Sequence, residues 1–143
     1  MPRLATYLNT LGQTEEAFTF YASVFAPGAP LEIHRFAELA GGPGMPPLPA
    51  EDLDKVLHVR LELPDGHLLL GTDILASTGQ QVRVGNNTTI AVLCDSREEA
   101  DRYYDALAEG GSESTGMADM AWGDYWGCTL DRFSIRWMLT HQG

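Results

Sequence analysis

At 143 residues the chain has the length of one domain and enough apolar sequence to bury a core. Hydrophobic residues make up 44% and charged residues 20%, a balance that excludes a disordered or fibrous chain. Nine basic residues against 20 acidic ones give a formal net charge of −11. That field repels phosphate backbones and anionic bilayers, so neither nucleic acid nor membrane is an expected partner, whereas a cationic small molecule is attracted. Acidity also serves plain solubility.

No apolar run approaches the roughly 20 residues that cross a bilayer, and Met1-Pro2-Arg3-Leu4 leads directly into an ordered pattern without an apolar signal region. The expectation is a cytoplasmic protein. Cys94 and Cys128 form neither a disulfide framework nor a CxxC motif, and read as small, partly buried hydrophobes. Cys128, set among aromatic and polar residues, is the one with a nucleophilic alternative.

In chain order, Leu4 to Leu8 alternates as a short strand. Thr14 to Phe25 then takes helical spacing, with Ala17, Phe20, Tyr21, Val24 and Phe25 as one apolar stripe. Thr14 is placed to cap that helix, with Glu15 and Glu16 in its first turn, and Pro27-Gly28 stops it. Leu31 to Leu39 is a strand, and Ala40 to Pro49, rich in Gly and Pro, is a loop. Lys55 to Leu63 alternates with Val59, Leu61 and Leu63 on one face and His58, Arg60 and Glu62 on the other. Asp65-Gly66 turns the chain into His67 to Asp73, where the run Leu68-Leu69-Leu70 suggests a strand buried on both faces. Ser77 to Asn87 is a polar connection.

The order then repeats. Thr88 to Cys94 is a strand, and Ser96 caps a helix carrying Ala100, Tyr103, Tyr104 and Leu107 up to Gly110-Gly111. Ser112 to Met117 fits a short strand, Trp122 to Leu130 an aromatic hairpin arm, and Ile135 to Thr140 a final strand. Glu15-Glu16-Ala17 recurs as Glu98-Glu99-Ala100, an offset of 83 residues (98 − 15). The same offset relates Phe20-Tyr21 to Tyr103-Tyr104, Val24 to Leu107, Gly28 to Gly111 and Thr6 to Thr89. A shared helical period is common, but a strand before it and a stop after it at one offset point to internal duplication.

Candidate chemistry outside the repeat is sparse. His58 shares a strand face with Glu62, and the hairpin offers His67 or Asp73 as a neighbour, so a metal site from His58, Glu62 and Asp73 is one reading; an ordinary half-exposed polar face is the plainer one. His34 and His141 read as solvated. No Ser-His-Asp spacing, P-loop or GxGxxG is present. Trp122, Tyr125 and Trp126, interrupted by Gly123, Asp124 and Gly127, read as aromatics presented by a turn, either lining a pocket or filling a dimer or inter-module core. On the last strand Ile135, Trp137 and Leu139 face a helix, leaving Arg136, Met138 and Thr140 on the opposite face. Arg136 there is suited to a carboxylate or phenolate.

Tyr7-Leu8, Gly12, Glu15-Glu16-Ala17, Phe20-Tyr21 and Val24-Phe25 resemble the opening motif of the PhnB-like (3-demethylubiquinone methyltransferase-like) branch of the vicinal oxygen chelate superfamily. Trp122-Gly123-Asp124, Gly127, Asp131-Arg132-Phe133 and Trp137-Met138 are similar to its closing motif. The resemblance implies an α+β glyoxalase/bleomycin resistance fold: one domain over residues 1–143, with two βαβββ modules (about 1–75 and about 86–143) forming curled mixed sheets around a cleft. It further implies a homodimer and, in catalytic members, a divalent metal held by one residue from the first and last strand of each module. Carried over, those positions are Thr6 (or Ala5), Leu70 (or Gly71), Thr89 and Met138. None is His, Asp, Glu or Cys, so no metal and no cofactor is expected.

The resulting expectation is a metal-free binding protein for a small organic molecule, with Thr6, Leu70, Thr89, Trp122, Tyr125, Trp126, Arg136 and Met138 as ligand-binding residues. Two alternatives stand beside it. One is a lyase or isomerase using His58, Asp73 or Arg136 as acid-base groups, or a displaced metal site; the other is a partner-binding dimer without a small ligand.

Overall fold

A computed structural model describes residues 2–39, 42, 44 and 47–142. The Ala40 to Pro49 loop of the sequence reading lies partly outside the described residues. The chain divides into two compact units, Met1–Val82 and Arg83–Gly143.

In the first unit, strand β1 (Thr6–Thr10) leads to helix α1 (Thr14–Phe25), then β2 (Glu32–Arg35), β3 (Val56–Glu62) and β4 (Leu68–Asp73). The sheet order is β1-β4-β3-β2, with β1 parallel to β4 and the other pairs antiparallel. The second unit repeats the order as β5 (Ile90–Leu93), α2 (Arg97–Ala108), β6 (Ala118–Asp119), β7 (Asp124–Leu130) and β8 (Arg136–Gln142), with sheet order β5-β8-β7-β6. The fold is therefore α+β, two helices with two four-stranded mixed sheets. Both helices have 12 residues, and their starts lie 83 apart (97 − 14).

Each helix covers one face of its sheet. The buried stripe of α1 is Thr14, Ala17, Phe18, Tyr21, Ala22 and Phe25. It is rotated by one residue from the expected stripe: Phe18 is fully buried while Phe20 and Val24 are only half-buried. Gly71 explains the rotation. A Cβ there would sit 2.7 Å from the Phe18 ring, so glycine lets that ring lie directly on β4. Burying Phe18 this way contributes about 2–3 kcal/mol. Under α2 the core is Ala100, Tyr104 and Leu107 against Trp137 and Leu139.

Thr14 does not cap α1. Gln13 holds the cap position without a side-chain bond, and Thr14 is the first helical residue. Its backbone N–H donates to Asp73 Oδ1 at 3.0 Å, and its hydroxyl meets Thr10 Oγ1 at 2.7 Å. A tertiary carboxylate thus replaces the local cap. Ser96 does cap α2, accepting from Glu99 N at 3.0 Å.

Three other expectations are corrected. Strand β2 stops at Arg35 and a 3-10 turn follows over Phe36–Leu39, because the Glu38 carboxylate folds back onto the Arg35 backbone N–H at 2.7 Å. Leu69 is buried but Leu68 and Leu70 are half-exposed, so β4 has one covered face. The segment from Ser112 makes only a single bridge to Leu130, and the short strand falls at Ala118–Asp119.

Candidate ligand-binding faces

The uncovered face of each sheet is the place where side chains remain available. In the first unit, alternation puts Leu8, Thr10, Val59, Leu61, Leu69, Gly71 and Asp73 under α1. Tyr7, Asn9, His58, Arg60, Leu70 and Thr72 face the other way. Tyr7 is 50% exposed, and its ring lies 6.2 Å from that of His58. At the outer edge a shallow depression of about 450 Å³ is lined by Pro30, Leu31, Glu32, Arg60 and Glu62.

The open face of the second unit is more apolar. Register aligns Leu93, Thr140, Trp126 and Ala118 in one row across all four strands, and Ala91, Met138 and Cys128 in the next. Leu93 is 77% exposed, and Trp126, Cys128 and Met138 are half-exposed. Thr140 is buried within its row, and its Oγ1 has no hydrogen-bond partner among the described residues. At the end of β5 and β8 a depression of about 370 Å³ is lined by Leu93, Cys94, Asp95, Thr140, His141 and Gln142. His141, expected to be solvated, instead belongs to β8, and its Nδ1 bonds the Cys94 carbonyl at 2.9 Å.

The residues singled out in the sequence scatter over these surfaces. Leu70, Trp126 and Met138 lie on open faces. Thr6 falls in the helix-side register with Leu8 and Thr10, its hydroxyl 2.9 Å from His67 Nε2. Thr89 precedes β5 and is exposed. Thr6 and Thr89 are not structurally equivalent, because the helix begins four residues after buried Thr10 (14 − 10) but three after buried Cys94 (97 − 94). The 83-residue offset that superposes the helices therefore shifts the strands by one residue, which reverses the face.

Trp122 occupies the turn before β7, 68% exposed, its Nε1 donating to Asp124 Oδ2 at 2.9 Å. Tyr125 faces α2: its hydroxyl donates to Asp101, and the Arg97 guanidinium stacks 3.8 Å from its ring centre. Arg97 also holds Asp119, so this cluster clamps the β6–β7 arm to the helix. Arg136 is engaged too, donating to the Gly85 carbonyl at 2.8 Å and to the Glu113 carboxylate at 3.1 Å.

His58 and Asp73 are on opposite faces of their sheet, and Asp73 is spent on structure. Besides Thr14, it accepts from Val56 N at 2.8 Å and Thr10 Oγ1 at 3.3 Å. His58 and Glu62 share a face but stand four residues apart along β3, roughly 13 Å. Arg136 belongs to the other unit. The suggested trio of His58, Glu62 and Asp73 therefore does not converge. Among the described residues, no group of three His, Cys, Asp or Glu side chains is placed to hold a metal ion.

The open-face positions of the first and last strands of each unit, the strands to which the resemblance assigns metal ligands, are filled by Tyr7, Asn9, Leu70, Thr72, Ala91, Leu93, Met138 and Thr140. Phenol, amide, hydroxyl and thioether groups without a single imidazole or carboxylate do not fit a divalent cation. Trp126 was singled out by its aromatic cluster and Thr140 placed on the open face by strand alternation, but nothing in the sequence marks the Thr140 hydroxyl as orphaned. The depression between the strand ends had no signal, since it depends on where β8 stops.

Solved structures place this architecture among glyoxalase/bleomycin resistance fold proteins. A glyoxalase/bleomycin resistance protein/dioxygenase from Nocardioides is 20% identical, covering 99% of this chain and 85% of that one at a TM-score of 0.55. Protein PA1353 from Pseudomonas aeruginosa is 30% identical over 99% of this chain and 98% of that one, TM-score 0.77. A putative 3-demethylubiquinone-9 3-methyltransferase, PhnB protein, from Bacillus cereus is 24% identical over 98% and 99%, TM-score 0.76. None of the curated proteins matches. The family model described as 3-demethylubiquinone-9 3-methyltransferase matches residues 2–140, and the chain belongs to that PhnB-like family.

Proposed function

We propose that this chain is a small-molecule-binding protein that works without a metal, holding a small, flat or cationic organic molecule against the open face of the second unit. The carrying observation is the row Leu93–Thr140–Trp126, an apolar and aromatic surface at positions unsuited to metal chemistry. The acidic balance of −11 supports a cationic ligand over an anionic one. A homodimer and a cytoplasmic setting belong to the same reading; among the described residues no helix is long and apolar enough to cross a membrane.

The methyl-transfer activity in the family's description has little support in this chain. The common methyltransferase architecture needs a doubly wound parallel sheet, and the two sheets here are mixed, each with a single parallel pair.

Fluorescence titration with proflavine, a planar aromatic cation, tests the reading. Binding is expected to quench tryptophan emission and to weaken at least about tenfold in Trp126→Ala, with Trp122→Ala close to wild type. Equal loss in both variants, or binding untouched by Trp126→Ala, would remove the reading.

A further inference from the structure

We infer that the depression at the ends of β5 and β8 is a subsite for a protonated amine, so that the ligand of the second unit carries an ammonium group. The inference rests on the ligand-binding reading above and gives it a chemical class.

The polar groups lining the depression are acceptors or can act as acceptors. Asp95 contributes a carboxylate that has no ion-pair or hydrogen-bond partner among the described residues. Its backbone N–H is held by Glu99 Oε1 at 3.0 Å, which fixes the strand-to-helix corner carrying it. His141 Nδ1 donates to the Cys94 carbonyl at 2.9 Å, which ties the end of β8 to the same corner. Gln142 adds an amide oxygen. No lysine or arginine lines the depression.

Thr140 supplies an independent observation. It is 7% exposed, it lines the depression, and its Oγ1 is the one buried side-chain polar atom without a partner among the described residues. An orphaned buried hydroxyl is costly, and it calls for a partner that the described residues do not provide. An ammonium group has three donors and no acceptor, which complements a carboxylate and a hydroxyl together. The same row supplies the rest of the recognition surface: exposed Leu93 and the Trp126 ring for the apolar body of the ligand.

The local field has the required sign. The Cys94 thiol, also lining the depression, is pushed up to about 11, mainly by burial and then by the negative charges of Glu99 and Asp95, against opposing contributions from a Thr140 backbone bond and Arg102.

Three matched probes test the inference on the full chain at pH 7.5: benzylamine, benzyl alcohol and benzoate, followed by amide chemical shifts. Benzylamine is expected to move the signals of Asp95, Thr140, His141 and Gln142 and to bind about tenfold more tightly than benzyl alcohol, as one charge-assisted contact allows. Asp95→Asn should remove that advantage, Thr140→Val should reduce it, and Thr140→Ser should keep it. Benzyl alcohol should bind these variants as it binds wild type. Trp126→Ala should weaken benzylamine and benzyl alcohol alike, which reports on the underlying face rather than on the amine subsite. If benzylamine binds no better than the alcohol, or if Asp95→Asn leaves the preference intact while Trp126→Ala still weakens both probes, the amine subsite is overturned and the binding face stands. Absence of any probe binding overturns both.

Discussion

Asp131 Oδ2 accepts a hydrogen bond from the Trp137 indole Nε1 at 2.8 Å, both residues buried. The other oxygen of the same carboxylate accepts from the backbone N–H of Phe133 and Ile135, at 2.8 and 3.0 Å. One acidic side chain thus closes the turn between β7 and β8 and fixes the largest ring of the second core. Asp131→Asn puts an amide N–H against one of these donors. It should cost about 2–4 kcal/mol and lower the melting temperature by roughly 5–10 °C in a thermal denaturation scan.

The contact of Gly71 with Phe18 gives a prediction for the first unit. Gly71→Ala pushes a methyl into the ring and should cost about 1–3 kcal/mol. Gly71→Ala combined with Phe18→Leu should lose less than the sum of the single changes, because the smaller side chain leaves room. Chemical denaturation of the four proteins checks this, and strict additivity would contradict the contact.

Burial holds the Cys94 thiol up to about 11, above its ordinary value of 9.0. The thiol of the unfolded chain therefore loses its proton first as pH rises. The stability linked to this group is complete below about pH 9 and is lost as pH climbs through about 11. Wild type should lose stability more steeply than Cys94→Ala across that window, and parallel pH profiles would refute the assignment.

His34 is held by Glu38, its Nδ1 at 3.0 Å from the carboxylate, with Glu32 on its other side at 3.7 Å. The hydrogen bond to Glu38, then its charge, raise the imidazole above its ordinary value. The contact therefore favours the fold at low pH and fades as pH rises through the raised value. An NMR titration should find His34 above the ordinary histidine range, and Glu38→Gln should bring it back down.

The helices were legible because Glu15-Glu16 and Glu98-Glu99 mark first turns and the apolar spacing is unambiguous. The capping of α1 was not, since the group that replaces a local cap is Asp73, 59 positions away in sequence. The triple leucine of β4 looked doubly buried because a run of identical residues hides the period of two; only the burial of Leu69 between half-exposed Leu68 and Leu70 separates the faces. The open-face aromatic Trp126 and the engaged Tyr125 are adjacent in sequence and point to opposite sides of β7. Proximity along the chain could not assign them to a common pocket.

The unequal connections from first strand to helix also set a rule for anyone wishing to place an introduced histidine on the open face of either sheet. Histidines introduced at Thr6 and Thr89, the pair matched by the repeat, would start from positions of opposite facing. The first would be directed to the α1 side of its sheet and the second to the open side of its own. A designer would have to count from the buried residues Thr10 and Cys94 instead, and so arrive at Tyr7 or Asn9 in one half and Ala91 or Leu93 in the other.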